Sequence, residues 1–231
     1  MESKRAVEQS PPPQAVIMQM VMGAWVTKVI SEVTRLGVPD LLKRHGSMRA
    51  GEMVTVGGIV ASSTALERVL RACASLGVFT EDATGKFGST ALSDVLTWDS
   101  PVSVKKLVEE IGGPLYRGWA ELLDAVKTGQ PQARKVFGKE WWDYLNANPK
   151  ELEDFGEAMK SNSLNSLRGV LDNCDFNGVR KIADVGGGFG HLAVALLEKY
   201  PTLQLSSWTF RTSFRLPGST CPSATPALPP D

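Results

Sequence analysis

Apolar residues recur along much of the chain at intervals of three and four, the spacing that places side chains on one face of an α-helix. The densest such stretch runs from about Ala15 to Leu36, where apolar residues fall on almost every side of the predicted helix. A helix of this kind needs burial against several neighbours, and a subunit interface is one way to provide it. The polar residues before it, 1–14, are predicted to be disordered.

The region between about Met48 and Phe87 predicts two helices and then a small hairpin. The second helix ends at Gly77, and the hairpin turns at residues 82–85. Helix, helix, hairpin is the order of a winged helix, which suggests DNA binding as one interpretation. The candidate recognition helix, however, carries only Arg68 and Arg71 as cations, whereas phosphate contacts need clustered cations. DNA binding is therefore the weaker interpretation.

Further helical segments are predicted at residues 103–111, 114–127 and 140–145, and from Pro149 onwards. A different pattern begins at Lys181. A short apolar strand ends in Asp184, four glycines follow within residues 186–190, and a helix-forming segment starts at Leu192. Glycines let the chain turn sharply and let a ligand approach the main chain, and the helix start offers free N–H groups. The stretch predicts a strand, a ligand-binding loop and a helix.

The glycine spacing separates the candidate ligands of this loop. A dinucleotide fingerprint needs a third glycine at the position of His191, which weakens the interpretation of the loop as an NAD site. A P-loop is excluded because no Lys-Ser/Thr pair follows the glycines. A glycine-rich turn without any ligand stays open as an alternative.

Composition narrows the function classes further. The 231 residues contain 25 Lys and Arg against 25 Asp and Glu, which argues against a broad nucleic-acid or membrane-surface role. Three scattered cysteines and two histidines indicate neither disulfides nor a metal site. The apolar run from Ala15 to Val26 is interrupted by Gln19 and is too short to span a bilayer, and no signal peptide is evident. We expect a cytoplasmic protein.

An acid followed by alternating glycines resembles the first motif of class I S-adenosylmethionine (SAM) methyltransferases. The order of the parts resembles, more narrowly, the SAM-dependent O-methyltransferases of the plant small-molecule and bacterial polyketide type. The match covers roughly residues 15–204. The segments that carry it are Leu36-Gly37-Val38-Pro39-Asp40, Leu66 to Arg71 with Leu76 to Phe79, Trp142 to Leu145, Phe155 to Met159, and Asp184 to Gly190.

The resemblance implies a mostly α-helical, winged-helix-like dimerisation domain followed by the start of an α/β Rossmann-like SAM-binding domain. We expect the first at residues 15–100, a helical linker with acceptor-pocket helices at 101–178, and the Rossmann-like part at 179–205. It implies a homodimer formed through the N-terminal helices. It also implies SAM as the cofactor and a small hydroxylated aromatic or polyketide-type molecule as the acceptor.

The resemblance also assigns roles residue by residue. Gly186 and Gly188 would contact SAM, and Asp184 and Gly190 would shape the loop. His191 is expected to be a surface loop residue, because a SAM loop asks nothing of that side chain.

The acceptor pocket is implied on the helix that starts at Pro149. Phe155 and Met159, one turn apart, would line it near the methyl group, with Ser163 one turn further on. Without the resemblance, Phe155 and Met159 are more simply core residues. Trp141 and Trp142 are expected to contribute packing rather than chemistry.

The chain departs from the family in its last part. A carboxylate for the SAM ribose is expected at the end of the second strand, but no Asp or Glu lies between Glu198 and Asp231. The family's histidine general base matches neither His45 nor His191, so no catalytic residue is assigned. We expect the chain as written to have little or no activity; the alternative is a non-catalytic dimerising helical module.

The segment 206–231 is rich in Ser, Thr and Pro and lacks periodicity, and we interpret it as an aberrant tail. One permissible back-translation of Ser206 to Cys221, started at its third base, encodes Val-Leu-Asp-Leu-Pro-Asp-Leu-Ile-Pro. That reading resembles the family's second-strand motif, with an acid in the ribose-binding place. A frameshift near codon 205 is therefore our hypothesis for this segment.

Overall fold

The structure of the protein is a computed structural model that describes residues 11–208. These residues form two compact units, one made of residues 11–100 and 108–123 and the other of residues 101–107 and 124–208. Two helices, α6 (Lys105–Gly112) and α8 (Leu122–Thr128), run across the boundaries between these segments.

The first unit contains helices and one hairpin. Its elements are α1 (Pro13–Arg35), α2 (Val38–His45), α3 (Ala50–Thr55), α4 (Ser63–Ser75), β1 (Phe79–Glu81), β2 (Phe87–Ser89), α5 (Ala91–Asp94) and α7 (Pro114–Trp119). The hairpin is antiparallel, with Thr80 opposite Gly88. The helix–helix–hairpin order expected of a winged helix is therefore present, and Gly77, at φ +77°, follows the end of α4.

The core of the first unit is continuous from α1 to the hairpin. Val33, Met53, Leu70, Cys73 and Phe87 are each 0% exposed. Leu66, Leu70 and Cys73 fall at the three- and four-residue intervals that the sequence pattern predicts for one buried helix face. Burying one such large side chain contributes about 1.5–3 kcal/mol.

The N-terminal half of α1 is not covered by any part of residues 11–208, which the structure describes. Exposed apolar side chains share it: Ile17, Met18, Met20, Val21, Met22 and Trp25. The helix is 23 residues long, so the argument that its apolar run is too short for a bilayer was wrong on length; by length and composition alone α1 could cross a membrane. Core helices of soluble proteins meet the same criterion. Its C-terminal half carries a Lys28–Glu32 ion pair of 2.6 Å.

The second unit is α/β. Besides the parts of α6 and α8 it contains α9 (Ala133–Phe137), α10 (Trp141–Ala147), α11 (Pro149–Asn173), β3 (Lys181–Val185), α12 (His191–Lys199) and β4 (Gln204–Trp208). Strands β3 and β4 are parallel, with Ala183 opposite Ser206, and α12 connects them. This strand–helix–strand unit is the start of the Rossmann-like arrangement that the resemblance implied.

The expected second strand is present as β4. Its last three residues, 206–208, belong to the segment interpreted as an aberrant tail, and they continue the ladder with β3. The rest of that segment and the proposed frameshift product lie outside the described residues, as do residues 1–10.

Candidate functional site

The predicted strand, glycine loop and helix are observed as β3, residues 186–190 and α12. Gly186, Gly188 and Gly190 have φ values of +77°, +53° and +72°. Side chains rarely adopt this left-handed region, so glycine at all three positions avoids strain. The Gly190 N–H donates to the Gly187 carbonyl at 2.8 Å, which closes the loop immediately before α12.

Asp184 determines the shape of the loop through a glycine to which the sequence analysis gave no role. A Cβ built on Gly187 would lie 2.2 Å from Oδ2 of Asp184, so this carboxylate occupies the space that a side chain would need. Only a glycine at position 187 lets the acid fold back over the loop. The clash depends on the Asp184 rotamer, which the sequence does not reveal.

The Asp184 carboxylate is also an unsatisfied group. Within the described residues its Oδ2 is buried and has no hydrogen-bond partner, and burial raises the pKa of the carboxyl above its ordinary value. A buried acceptor without a donor is unfavourable, and a ligand that brings an N–H or O–H group would satisfy it.

The start of α12 offers the complementary groups. Gly190 is its N-cap, and the first N–H groups of the helix have no partner inside the helix. These groups favour an anion. The loop therefore presents a carboxylate acceptor and a set of amide donors to a ligand that carries both a cation and an anion.

His191 is placed differently from the expectation. It is the first residue of α12 rather than a surface loop residue, and it is half-buried. Its ring lies edge-on to Phe189 with centroids 6.0 Å apart. Burial and nearby Lys160 lower the pKa of His191, and Glu157 opposes them. Both charged residues belong to α11, the helix near which α12 packs.

The proposed acceptor residues are all on α11, but they differ in environment. Phe155 and Met159 are half-buried, whereas Ser163 is exposed. The Phe155 ring lies between two indoles, edge-on to Trp141 at 5.7 Å and to Trp142 at 5.8 Å. The tryptophans thus pack as expected. The acceptor roles of Phe155, Met159 and Ser163 stay predictions.

An aromatic cluster extends from Phe155 that the sequence analysis did not identify. Phe137 of α9 packs on Tyr144 of α10 at 4.6 Å, and Tyr144 stacks on Trp141 at 5.9 Å. Four aromatic residues, Phe137, Trp141, Trp142 and Tyr144, fall in the eight residues 137–144, a density that could have signalled the cluster. Aromatic pairs of this kind contribute about 0.5–1.5 kcal/mol beyond their buried area.

Ion pairs fix the start of α11. Asp154 accepts from Lys106 at 2.7 Å and from Lys150 at 3.0 Å. Burial would raise the pKa of Asp154, but these two bonds outweigh it and hold the pKa below its ordinary value. About two turns further on, the Ser161 hydroxyl donates to the Ser103 carbonyl. The helix that carries Phe155 and Met159 is therefore held to residues 103–106 at two points.

Comparisons with known proteins cover both parts of the chain. The sequence model of an O-methyltransferase dimerisation domain matches residues 18–99, and that of an O-methyltransferase domain matches residues 119–212. The phenazine O-methyltransferase PhzM of Lysobacter antibioticus is 34% identical over 190 residues, which cover 82% of this chain and 55% of that protein.

Solved structures agree with the sequence matches. The crystal structure of LaPhzM has a TM-score of 0.76 at 32% identity, over 84% of this chain and 58% of that one. Human N-acetylserotonin methyltransferase, solved in complex with SAM, has a TM-score of 0.74 at 28% identity, over 87% of this chain and 60% of that one. The chain thus spans little more than half the length of these proteins. With both of its parts matched, the chain belongs to the SAM-dependent O-methyltransferase family.

Proposed function

We propose that the protein transfers the methyl group of SAM to a hydroxyl of a small aromatic or polyketide-type molecule, and that this chain contributes the first part of the SAM site. The observation that carries the proposal is the loop at residues 186–190, with its orphaned Asp184 oxygen and the free N–H groups of α12. The similarity to proteins named O-methyltransferases supports the choice of an oxygen acceptor.

The loop fits the methionine part of SAM. That part carries an ammonium and a carboxylate, which match a carboxylate acceptor and a helix N-terminus respectively. Gly186 and Gly188 keep side chains out of the ligand's path, and Gly190 starts the helix. We therefore keep Asp184, Gly186, Gly188 and Gly190 as the cofactor-binding residues of the proposal.

When bound, SAM supplies an electrophilic methyl group on a sulfonium sulfur. The residues of this chain bind and orient: Asp184 accepts a hydrogen bond, and the loop amides hold an anion. Phe155 and Met159 offer an apolar surface for a flat acceptor, and Ser163 a hydroxyl at its edge. Orientation of the two reactants is a large part of what such a site contributes to the rate.

The homodimer is part of the proposal. The matched dimerisation model includes most of α1, whose exposed apolar half is unusually large for a surface helix. Burial of that half against a second copy would remove the exposed surface. We also propose a cytoplasmic location, since the names of the relatives describe methyltransferases of small molecules.

The proposal treats catalysis and cofactor binding separately for this chain. Strand β4 carries no acid among residues 204–208, and no residue of the described part is assigned as a general base. We therefore expect a SAM affinity no tighter than the millimolar range, because β4 offers no carboxylate to the ribose.

Amide NMR of the uniformly ¹⁵N-labelled chain tests the proposal. Millimolar SAM should shift the amides of Gly186, Gly188 and Gly190 but leave Gly169 unchanged, and Gly188→Val should abolish the shifts. Absence of any shift in the loop at millimolar SAM would reject it as the cofactor site. Micromolar affinity would instead contradict the expectation of an affinity no tighter than the millimolar range.

A further inference from the structure

The glycine loop and α11 approach each other closely at Phe189 and Gly156. A Cβ built on Gly156 would lie 2.9 Å from both Cε2 and Cζ of Phe189. The Phe189 ring of the loop therefore lies directly over the backbone of α11, in the space that any other residue at position 156 would fill.

Gly156 is otherwise hard to explain where it stands. It lies in the interior of a 25-residue helix, where glycine is about 1 kcal/mol less favourable than alanine. A glycine inside a helix is expected where another group must approach the backbone closely, and Phe189 is that group.

His191, two residues after Phe189, begins the helix that packs near α11. The charges of Glu157 and Lys160, which lie one and four residues after Gly156 on α11, act on the pKa of His191. The Phe189 and His191 rings lie edge-on with centroids 6.0 Å apart. The end of the loop and the start of α12 are thus both close to one segment of α11.

The face of α11 that carries Gly156 and Lys160 is next to the face that carries the proposed acceptor residues. Phe155 precedes Gly156, and Met159 precedes Lys160, so the two faces are offset by one residue, or about 100° around the helix. A shift of the loop would move the Phe189 ring relative to the helix that carries Phe155 and Met159. The contact between Phe189 and Gly156 therefore couples the position of the loop to that of the acceptor helix.

We propose that Phe189 is a positioning residue that clamps the cofactor loop against α11 by seating its ring on Gly156. Phe189 does not need to touch either reactant to do this. It keeps residues 186–190 in their ligand-binding shape and sets the loop's distance from the acceptor helix. The role in methyl transfer rests on the proposed function, whereas the clamp itself is a property of the ligand-free chain.

Hydrogen exchange of the ligand-free chain tests the clamp. Gly156→Ala should displace the ring and speed exchange of the loop amides about tenfold, the change that roughly 1.4 kcal/mol of local stability gives. Phe189→Ala should do the same by removing the ring. The double variant should be no worse than Phe189→Ala alone, because the added methyl then meets empty space.

Gly169→Ala is the matched control. Gly169 lies in the same helix, and a Cβ there has nothing within 4 Å, so the substitution should leave loop exchange unchanged. Because alanine favours the helix, Gly156→Ala should loosen the loop without lowering the midpoint of global unfolding. If Gly156 had only a structural role in the helix, Gly156→Ala would lower the protection of the loop amides and the midpoint of global unfolding together.

Two results would overturn the clamp: loop exchange in Gly156→Ala equal to that in Gly169→Ala, or effects of the two single variants that add in the double variant. SAM titration of the same variants separates the clamp from the proposed function. If wild type binds SAM, the affinity should fall in both single variants. If wild type binds no SAM, the proposed function fails, and the ligand-free exchange still decides the clamp.

Discussion

The two units of the chain bury apolar residues to very different extents. In the first unit, α1–α4 and the hairpin enclose a continuous set of fully buried side chains, among them Leu70 and Phe87. In the second, the buried apolar residues are few and small or scattered: Leu145, Ala158, Ala193, Leu196 and Leu203. Val185, at the end of β3, is 81% exposed.

The difference follows from the architectures. Helices and a hairpin can close a core within about a hundred residues, because each amphipathic element finds a partner nearby in sequence. A parallel sheet of two strands leaves both strands as edges and needs further strands and helices to cover its faces. The first unit therefore has the more complete core, and the glycine loop belongs to the less covered unit.

The largest expected effect is on the first unit. Phe87→Ala should destabilise it by about 3–5 kcal/mol, because it leaves a cavity at a side chain that is fully buried. Urea denaturation followed by segment-resolved hydrogen exchange would measure this. Leu92→Ala, at a half-exposed side chain of the same unit, is the control and should cost about 1 kcal/mol or less. Equal effects would show that the core is not as tightly packed as described.

A smaller effect is expected in the loop. Gly187→Ala should cost about 1–3 kcal/mol locally, because its methyl group would overlap the Asp184 carboxylate and force that side chain out. Exchange of the β3 and α12 amides should rise, while that of α4 stays the same. An unchanged loop would mean that Asp184 moves aside without cost.

The ion pairs of Asp154 give a matched comparison within the second unit. Lys106 is 15% exposed and Lys150 is 73% exposed, although both bind the same oxygen. Lys106→Met should cost about 1–2 kcal/mol, and Lys150→Met less than about 1 kcal/mol, because water screens the exposed pair. Chemical denaturation at neutral pH measures the loss of unfolding free energy in both variants. A larger loss from Lys150→Met would contradict the claim that the less exposed pair contributes more.

The smallest expected effect concerns pH. Burial raises the pKa of Asp184, so the unfolded chain releases this proton at a lower pH than the folded chain. The contribution of Asp184 to stability is therefore highest below its ordinary pKa and falls as pH rises through the raised value. Asp184→Asn should remove this dependence and be at least as stable as wild type at neutral pH without ligand. A variant that is less stable there would contradict the burial of the carboxylate.

Local patterns predicted several elements correctly. The glycines at 186, 188 and 190 specify a turn whatever surrounds them, so the strand, loop and helix could be identified from the sequence alone. The same holds for the hairpin, since Gly77 precedes its first strand and the turn at residues 82–85 connects its two strands. The family resemblance, which rests on such local motifs, was confirmed by the matches over residues 18–99 and 119–212.

Features that depend on side-chain packing could not be predicted. The need for Gly187 arises from one rotamer of Asp184, and the need for Gly156 arises from a ring 33 positions away. His191 was expected at the surface because a SAM loop asks nothing of that side chain, whereas the charges that act on its pKa, Glu157 and Lys160, are distant in sequence. In each case the deciding contact joins α11 or β3 to the loop, and no local pattern contains it.

The central proposal is that the less covered unit binds SAM through residues 184–190. Hydrogen exchange with and without millimolar SAM tests this claim most directly. We predict slower exchange at the amides of residues 186–192 and unchanged exchange in α4 and the hairpin. Unchanged exchange in the loop, or protection confined to the first unit, would contradict the account.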